Sequence, residues 1–330
     1  MLTIAIPTYN RNKEVVDTIL STLPQLNENC KLLIIDNASS ISVSDSLIER
    51  GVNLKDYNYT KLIQNVTNVG AQANLLRCIE LCDTEWLWIL GDDDLPNTDA
   101  VNLILKDLKS HEGFTFFNYC SLAHTRKDEI ISSGITEFLN AFEDWGQINF
   151  TSLCILNAKQ IKPYLRFGFL YAYSWSCINA CLFSCIVDKG GKALFSKKVI
   201  LSEIDRASDD NKWIPLGPHF GKNILLELLP NNSDKKLLAS KMNNKPALEY
   251  IICLLIDLII SSGNKKHYIY IYNNMIYRLY YFNNNMFAKI KFSFYRLLLH
   301  NPKISSKLVN YLLKKSGRVV TVNINQFNRT

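Results

Sequence analysis

Acidic residues are absent from the last stretch of this 330-residue chain. Asp257 is the last Asp or Glu, and twelve of the 37 Lys and Arg residues follow it. Residues 1–257 therefore contain 25 basic and 30 acidic residues, so the net charge of +7 comes from the C-terminal segment. With its interleaved Tyr, Phe and Lys, this segment favours an amphipathic helical surface against anionic lipid. The alternative is a helical subdomain that packs on the rest of the chain with a solvated basic face.

The sequence also lacks the signals of a secreted or membrane-spanning protein. Its nine cysteines are odd in number and form no C-x-x-C pair, which predicts a reducing compartment such as the cytosol. The start MLTIAIPTYN has no basic segment before its apolar run, so no signal peptide is expected. The longest apolar run, at 250–260, is too short to span a bilayer and contains Asp257. We therefore expect a soluble or peripheral protein.

Short apolar runs alternate with stretches of helical length across the first 120 residues. The expected strands are 2–7, 31–36, 59–65, 85–90 and 114–119, and the expected helices are 11–23, 43–50, 70–82 and 98–109. This alternation predicts βαβ units and a mostly parallel sheet covered by helices. Further along, we expect a strand at 129–133, a helix near 135–145, a mixed strand around 180–187, a helix through 221–229, and helices from 245 onward.

Polar residues follow each of the first four predicted strands. They are PTYNR (7–11), DNAS (36–39), NVGAQAN (68–74) and GDDD (91–94). Ligands of parallel α/β sheets bind at the carboxyl ends of the strands, so these four groups are the candidate ligand-binding residues.

Three consecutive carboxylates, Asp92, Asp93 and Asp94, come directly after the apolar run 86–90. Like charges this close repel, and each resists ionising beside the others. A solvated turn usually needs only one or two such residues. We therefore favour a hard divalent cation, Mg²⁺ or Mn²⁺, held by carboxylate oxygens, water and the phosphates of a substrate. The alternative is a solvated turn.

Asp36 and Gly70 each allow two interpretations. Asp36 ends a buried strand, so it either caps a turn or accepts hydrogen bonds from a base or sugar, as an acid near a strand end does in dinucleotide folds. Gly70 precedes a predicted helix whose backbone amides could face a diphosphate, although glycine before a helix is common.

Taken together, the stretches IAIPTYNR, LLIIDNAS, NVGAQANLLRCIE and WLWILGDDDLP resemble the family 2 glycosyltransferases, in that family's order. The resemblance covers roughly residues 1–120. It implies an α/β fold of the GT-A type, with a Rossmann-like, mostly parallel sheet flanked by helices, followed here by a C-terminal basic helical region. It also implies an inverting enzyme that uses a nucleotide-sugar donor. Within the family, the chain is most similar to sugar transferases of bacterial surface-polysaccharide assembly (O-antigen, lipopolysaccharide or capsule), such as abequosyltransferase-like enzymes.

The resemblance also implies roles for the strand-end residues. The nucleotide pocket would be lined by Pro7, Thr8 and Tyr9, the base would contact Asp36, and the ribose and diphosphate would lie near Asn68, Gly70, Asn74 and Asp92.

A Mn²⁺ or Mg²⁺ ion bridging the two phosphates would be held by the carboxylates Asp92, Asp93 and Asp94. Many relatives read L-D-x-D-D, and in that register Gly91 replaces the first Asp and Asp93 becomes the main metal ligand. In the other register, Asp92 and Asp94 form a D-x-D pair.

The sequence offers three candidates for the catalytic base and does not single out one of them. Relatives carry an acidic pair at the start of a helix, roughly a hundred residues beyond the metal motif. Asp209 and Asp210 lie in that region but precede the predicted helix, and His219 lies where that helix begins. We expect one of the three to act as the general base. The alternatives are a solvated loop for the Asp pair, and a cap or a core position for His219.

Three regions are predicted on this basis. Residues 1–120 would form the nucleotide-sugar-binding half of the GT-A domain, 121–240 the acceptor-binding half, and 241–330 a basic, aromatic-rich helical region at a membrane surface. The expected acceptor is a polyprenyl-diphosphate-linked saccharide, which would place the protein on the inner face of the bacterial cytoplasmic membrane.

Two other functions are alternatives to a glycosyltransferase. One is an inactive nucleotide-sugar-binding or scaffold protein of the same fold. The other, nucleic-acid binding, is not expected, because residues 258–330 contain no recognition motif.

Overall fold

The computed structural model of the chain describes residues 1–202, 221–242, 255, 259, 265–273 and 286–300. These residues fall into two compact units. The first contains residues 1–202 and 228–230, and the second contains 221–227 and the described residues from 231 onward. The three regions predicted from the sequence, with boundaries at 120 and 240, stay a prediction.

The first unit contains a nine-stranded sheet. Its strands are β1 (Leu2–Thr8), β2 (Cys30–Asp36), β3 (Thr60–Gln64), β4 (Trp86–Ile89), β5 (Leu95–Pro96), β6 (Phe116–Ser121), β7 (Ile130–Ser133), β8 (Cys154–Asn157) and β9 (Lys192–Ser202). The order is β3-β2-β1-β4-β8-β6-β9-β5, and β7 pairs with β9. The first four strands in this order are parallel, and six of the nine strands run in the same direction. The predicted mostly parallel α/β sheet is confirmed.

The helices of the first unit are α1 (Asn12–Thr22), α2 (Val43–Glu49), α3 (Ala71–Leu81), α4 (Ala100–Ser110), α5 (Gly134–Asn140), α6 (Trp145–Asn149), α7 (Ala158–Ile161), α8 (Leu165–Leu170) and α9 (Cys177–Lys189). The described helices of the second unit are α10 (Asn232–Lys241), α11 (Lys265–Ile271) and α12 (Met286–His300). Within the described ranges, the region after 241 is therefore helical, as predicted. No helix in this part of the chain has both the length and the apolar character needed to cross a bilayer.

Burial explains why the N-terminal elements form where periodicity predicts them. Every second residue of β1, at Leu2, Ile4 and Ile6, is buried in one core with the inner face of α1, including Val15 and Ile19. The residues between them are buried as well, because β1 lies inside the sheet and both of its faces are covered. Continuous hydrophobicity is thus the signature of this strand.

The mixed strand predicted around 180–187 is wrong, because this segment lies within helix α9. All residues from Cys177 to Ile186 are buried, so the apolar pattern runs round the whole helix and shows no helical stripe. Cys177, Cys181 and Cys185 are buried in this helix and form no disulfide.

The predicted helix at 135–145 is also only partly correct. The chain forms α5 and α6 there as two short helices, with a break at residues 141–144. The helix expected through 221–229 is a 3₁₀ helix over Gly221–Leu228. Three strands that the sequence did not indicate, β5, β8 and β9, complete the sheet.

Strand register places the polar residues at the ends of β1, β2 and β3 side by side. Thr8 pairs with Asp36 at the end of β1 and β2, and Asp36 pairs with Gln64 at the end of β3. On the other side of β1, Ala5 pairs with Ile89 of β4, so the residues just after β4 continue alongside the end of β1. Three of the four polar groups therefore meet at one edge of the sheet.

Candidate functional site

Asp92 is the buried member of the acidic turn (Asp92, Asp93 and Asp94). Thr8 Oγ1 donates a 2.7 Å hydrogen bond to its Oδ2, and Thr18 Oγ1 donates to its backbone carbonyl at 3.0 Å. Burial raises the pKa of Asp92, and the charge of Arg11 and the Thr8 hydrogen bond oppose that rise. The turn is thereby tied to both β1 and α1.

Arg11 supplies the positive charge that three adjacent carboxylates require. Its Nη1 lies 3.0 Å from Asp92 Oδ1, and its Nη2 lies 2.6 Å from Asp93 Oδ2. Two carboxylates therefore converge on one cationic group. Arg11 belongs to the PTYNR motif just after β1, and its pairing with the acidic turn was not predicted.

Asp94 turns toward a different partner. Ser152 Oγ donates to Asp94 Oδ2 at 2.5 Å and accepts from the backbone N–H of Gly91 at 2.8 Å. A Cβ at position 91 would lie 2.4 Å from Asp94 Oδ2, so a larger residue there would displace this carboxylate from its present position. Burial raises the pKa of Asp94, and the Ser152 hydrogen bond opposes the shift.

The chemistry of the turn fits a hard divalent cation, although the geometry does not display a complete ligand set. Carboxylate oxygens of Asp92 and Asp93 already share one cation, the guanidinium of Arg11. Among the residues that the structure describes, no group of three or more His, Cys, Asp or Glu side chains is arranged to hold a metal. The metal assignment therefore stays a prediction.

Asp36 is buried at the end of β2 and accepts two hydrogen bonds. The backbone N–H of Ser39 donates to Oδ1 at 2.9 Å, and Gln64 Nε2 donates to Oδ2 at 3.2 Å. The first bond is the turn-capping contact that was one of the two interpretations. Contact with a base stays a prediction. Gln64, for which no role was predicted, lies beside Asp36 as a second polar group.

Four side-chain amides connect β2 to the start of α3. We call them the asparagine network; they belong to Asn37, Asn65, Asn68 and Asn74. Asn37 Nδ2 donates to Asn68 Oδ1 at 2.7 Å, and Asn37 Oδ1 accepts from Asn65 Nδ2 at 2.9 Å. The same Asn65 amide donates to Asn74 Oδ1 at 2.9 Å, and Asn74 Nδ2 donates to the carbonyl of Ile35 at 3.2 Å. Asn74 is therefore buried with both ends of its amide bound inside the protein.

Gly70 lies at the N-cap of α3 with a φ of +86°. This left-handed backbone region suits glycine, and no atom would obstruct a Cβ there, so conformation is the constraint. The backbone N–H of Gly70 donates to Asn68 Oδ1 at 2.8 Å. The asparagine network thus fixes the approach to the helix start.

The loops after β1 and β2 are bonded to each other. The backbone N–H of Asn10 donates to Ser39 Oγ at 2.9 Å, and the N–H of Ser40 donates to Asn10 Oδ1 at 2.8 Å. Asn10 and Ala38 have φ values of 52° and 64°, a conformation that residues with a Cβ seldom adopt. Strained backbone at the strand ends is held in place by these bonds.

The other predicted site residues occupy different settings. Pro7 is half-buried at the end of β1, and Tyr9 is exposed just beyond it. Asp209, Asp210 and His219 lie outside the described residues.

The architecture is that of a GT-A fold. S. aureus TarS (residues 1–349) superposes with a TM-score of 0.58 at 12% identity, over 98% of this chain and 94% of that chain. The same TarS fragment in complex with UDP-GlcNAc gives a TM-score of 0.57 at 12% identity, with the same coverage. At this identity the likeness shows the fold alone.

A family model matches the first part of the sequence. Residues 3–152, just under half of the chain, match the model of glycosyl transferase family 2. This segment includes the acidic turn, the asparagine network and Ser152.

Two curated relatives are similar to part of this chain. An uncharacterized glycosyltransferase of Haemophilus influenzae is 28% identical over 137 residues, which are 41% of this chain and 42% of that protein. Abequosyltransferase RfbV of Salmonella typhimurium is 28% identical over 114 residues, 33% of each chain. The match thus spans less than half the length of either relative.

Proposed function

We propose that this chain is an inverting glycosyltransferase that moves a sugar from a nucleotide-sugar donor to a lipid-linked oligosaccharide in bacterial surface-polysaccharide synthesis. The observation that carries the proposal is the meeting of Thr8, Asp36 and the acidic turn at one edge of the sheet of a family 2 domain. The complex of TarS with UDP-GlcNAc supports a nucleotide sugar as donor. The similarity to an abequosyltransferase supports a sugar as the transferred group.

Donor binding is assigned to the strand ends. Pro7, Thr8 and Tyr9 line the nucleotide pocket, and Asp36 with its neighbour Gln64 faces the edge of the base. The start of α3 at Gly70 faces the diphosphate, where backbone N–H groups and the helix dipole favour negative charge. The asparagine network serves this arrangement by fixing the loop before α3.

The acidic turn is assigned to a divalent cation, Mn²⁺ or Mg²⁺. When bound, such an ion offsets the charge that develops on the leaving nucleoside diphosphate. Asp92 and Asp93 would hold it, because their oxygens already converge on Arg11, and Arg11 would have to leave those oxygens. Asp94 is held by Ser152, so its participation requires that this hydrogen bond break.

The acceptor hydroxyl attacks the anomeric carbon from the face opposite the leaving group, which inverts the configuration in one displacement. A general base within hydrogen-bond reach of that hydroxyl takes its proton. Asp209, Asp210 and His219 are the candidates. Asp209→Asn, Asp210→Asn and His219→Ala are the decisive replacements, and full transfer activity in all three would remove this assignment.

A lipid-linked acceptor would place the enzyme at the inner face of the cytoplasmic membrane. The support is the charge of residues 258–330, which contain basic residues and no acid. Because basic side chains are attracted to anionic headgroups, this segment would hold the enzyme where such an acceptor lies.

A second candidate function is a nucleotide-sugar-binding or scaffold protein without catalysis. Two observations favour it: Gly91 replaces the first Asp of the family pattern, and Arg11 already neutralises part of the acidic turn. Such a protein would bind the nucleotide but release no diphosphate.

Hydrolysis of a panel of nucleotide sugars in the presence of Mn²⁺ separates the two functions. We expect the wild type to release nucleoside diphosphate from one of them, and Asp93→Asn to do so about a hundredfold more slowly. Asp83→Asn is the matched control, because Asp83 forms an exposed ion pair with Lys31 at 2.9 Å, away from the acidic turn. Release that is absent from the wild type, or equal in all three proteins, would count against the enzyme.

A further inference from the structure

Helix α12 exposes large apolar side chains on one face. Ile290 is 60% exposed, Phe294 is 47% exposed and Leu297 is 66% exposed. Their spacing of four and three residues places them in one row along the helix. We call this row the outer face of α12.

The opposite face of the same helix is buried. Tyr295 and Leu299 are almost fully inaccessible to solvent and lie on the side of the helix away from the outer face. The helix therefore packs inside its unit through the face that contains Tyr295 and Leu299. The outer face is a separate apolar face, and it stays exposed to solvent. A contiguous exposed apolar row of this kind marks an interaction surface.

Charge indicates what binds this face. The helix includes Lys289, Lys291 and Arg296 and no acidic residue, and Arg296 and His300 are exposed. Lys265 Nζ, at the start of α11, lies 2.5 Å from the carbonyl oxygen of His300 and adds a cation at the C-terminal end of α12. Since Asp257 is the last acidic residue of the chain, nothing from the sequence after it offsets this charge.

We propose that the outer face of α12 is a docking surface for an anionic phospholipid membrane. Ile290, Phe294 and Leu297 insert at the boundary between headgroups and acyl chains, and the exposed guanidinium of Arg296 binds lipid phosphates. An apolar row beside cations, with no anion in the helix, has both properties that an interfacial helix needs. A water-soluble partner would have to supply a matching apolar groove rimmed with acidic groups, whereas an anionic bilayer presents both features at any point.

Cosedimentation with vesicles tests the proposal on the full chain. The probe is vesicles of phosphatidylglycerol and phosphatidylcholine at low salt, compared with phosphatidylcholine alone. We expect binding to the anionic vesicles only, weakened by added salt, and reduced about tenfold or more in Ile290→Ser/Leu297→Ser. The assay contains neither donor nor acceptor, so its outcome is independent of glycosyl transfer.

The matched control is Ile41→Ser/Leu170→Ser. These residues are 60% and 64% exposed, so the control removes the same two side-chain types, at nearly the same exposure, from the first unit. The control should bind vesicles like the wild type, and circular dichroism melts should show both variants folded. Equal binding by the wild type and the α12 variant would overturn the proposal. The proposal would also be overturned if the wild type did not bind vesicles and instead formed a dimer. Sedimentation velocity would show such a dimer, and the α12 replacement would dissociate it.

Discussion

Removing Arg11 tests whether the acidic turn needs its resident cation. In Arg11→Gln, Asp92 and Asp93 lose the guanidinium that lies 3.0 Å and 2.6 Å from their oxygens. Asp92 is then left as a buried carboxylate beside two other acids. We expect the variant to unfold more easily than the wild type in metal-free buffer.

The size of the loss follows from exposure. Breaking a fully buried ion pair costs about 3–5 kcal/mol, whereas an exposed pair contributes about 0–1 kcal/mol. The side chain of Asp92 is only 10% exposed, but those of Arg11 and Asp93 are both 35% exposed, so solvent reaches the site. We therefore expect a loss of about 2 kcal/mol in the free energy of unfolding.

Urea unfolding with and without Mn²⁺ is the assay. Arg50→Gln is the control, since Arg50 pairs with Asp17 at 3.4 Å and the two side chains are 53% and 41% exposed. Its loss should stay within about 0.5 kcal/mol. If Mn²⁺ binds the freed carboxylates, a concentration about a hundredfold above its Kd adds about 2.7 kcal/mol, which would offset the Arg11→Gln loss.

A double-mutant cycle with Asp92→Asn isolates the pair itself. The loss caused by Arg11→Gln should shrink in the Asp92→Asn background, because the buried charge is then gone. Equal losses for Arg11→Gln and Arg50→Gln, with no coupling to Asp92, would refute the account of the turn.

Three further outcomes are expected. Gly91→Ala should cost about 1–3 kcal/mol of stability in urea melts, because its Cβ would lie 2.4 Å from Asp94 Oδ2 and displace that carboxylate from Ser152. Burial raises the pKa of Asp92 above its ordinary 3.8, so the folded chain binds this proton more tightly than the unfolded chain, and stability falls as pH rises from 3.8 through the raised value. Non-titrating Asp92→Asn should therefore gain stability relative to wild type over that window in melts at stepped pH. Asn65→Ala removes hydrogen bonds to two other buried asparagines, Asn37 and Asn74, and should lower the free energy of unfolding by about 1–3 kcal/mol. It should also weaken nucleotide binding in calorimetry. Unchanged binding would show that the asparagine network does not support the nucleotide site.

Local pattern predicted the N-terminal half well, because short continuous apolar runs alternate there with stretches of helical length that have one apolar face. The helix expected at 70–82 is Ala71–Leu81, and the strand expected at 31–36 is Cys30–Asp36. The pattern failed where burial hid the period. Helix α9 is apolar all round, so its sequence does not differ from that of a buried strand. In β9, Lys197 and Lys198 interrupt the apolar run, and its hydrogen bonds come from distant strands.

The candidate site was predicted as a set of strand ends, but its internal contacts were not. The repulsion among the three carboxylates indicated that a positive group belongs there, and Arg11 was within one of the quoted motifs. What pairs it with Asp92 is the parallel register of β1 and β4, which connects positions 81 apart in sequence. Ser152 had no signal of its own, since a single serine before an unpredicted strand looks like any loop residue.

The most direct test of the central claim is a calorimetric titration of UDP, GDP, CDP and dTDP into the full chain, with and without Mn²⁺. If the strand-end edge binds a nucleoside diphosphate through a cation on the acidic turn, one nucleotide will bind in the presence of Mn²⁺. That binding will be lost in Asp93→Asn and kept in Asp83→Asn. The account would be contradicted if no nucleotide bound, or if binding were the same with and without Mn²⁺ and in the wild type and Asp93→Asn.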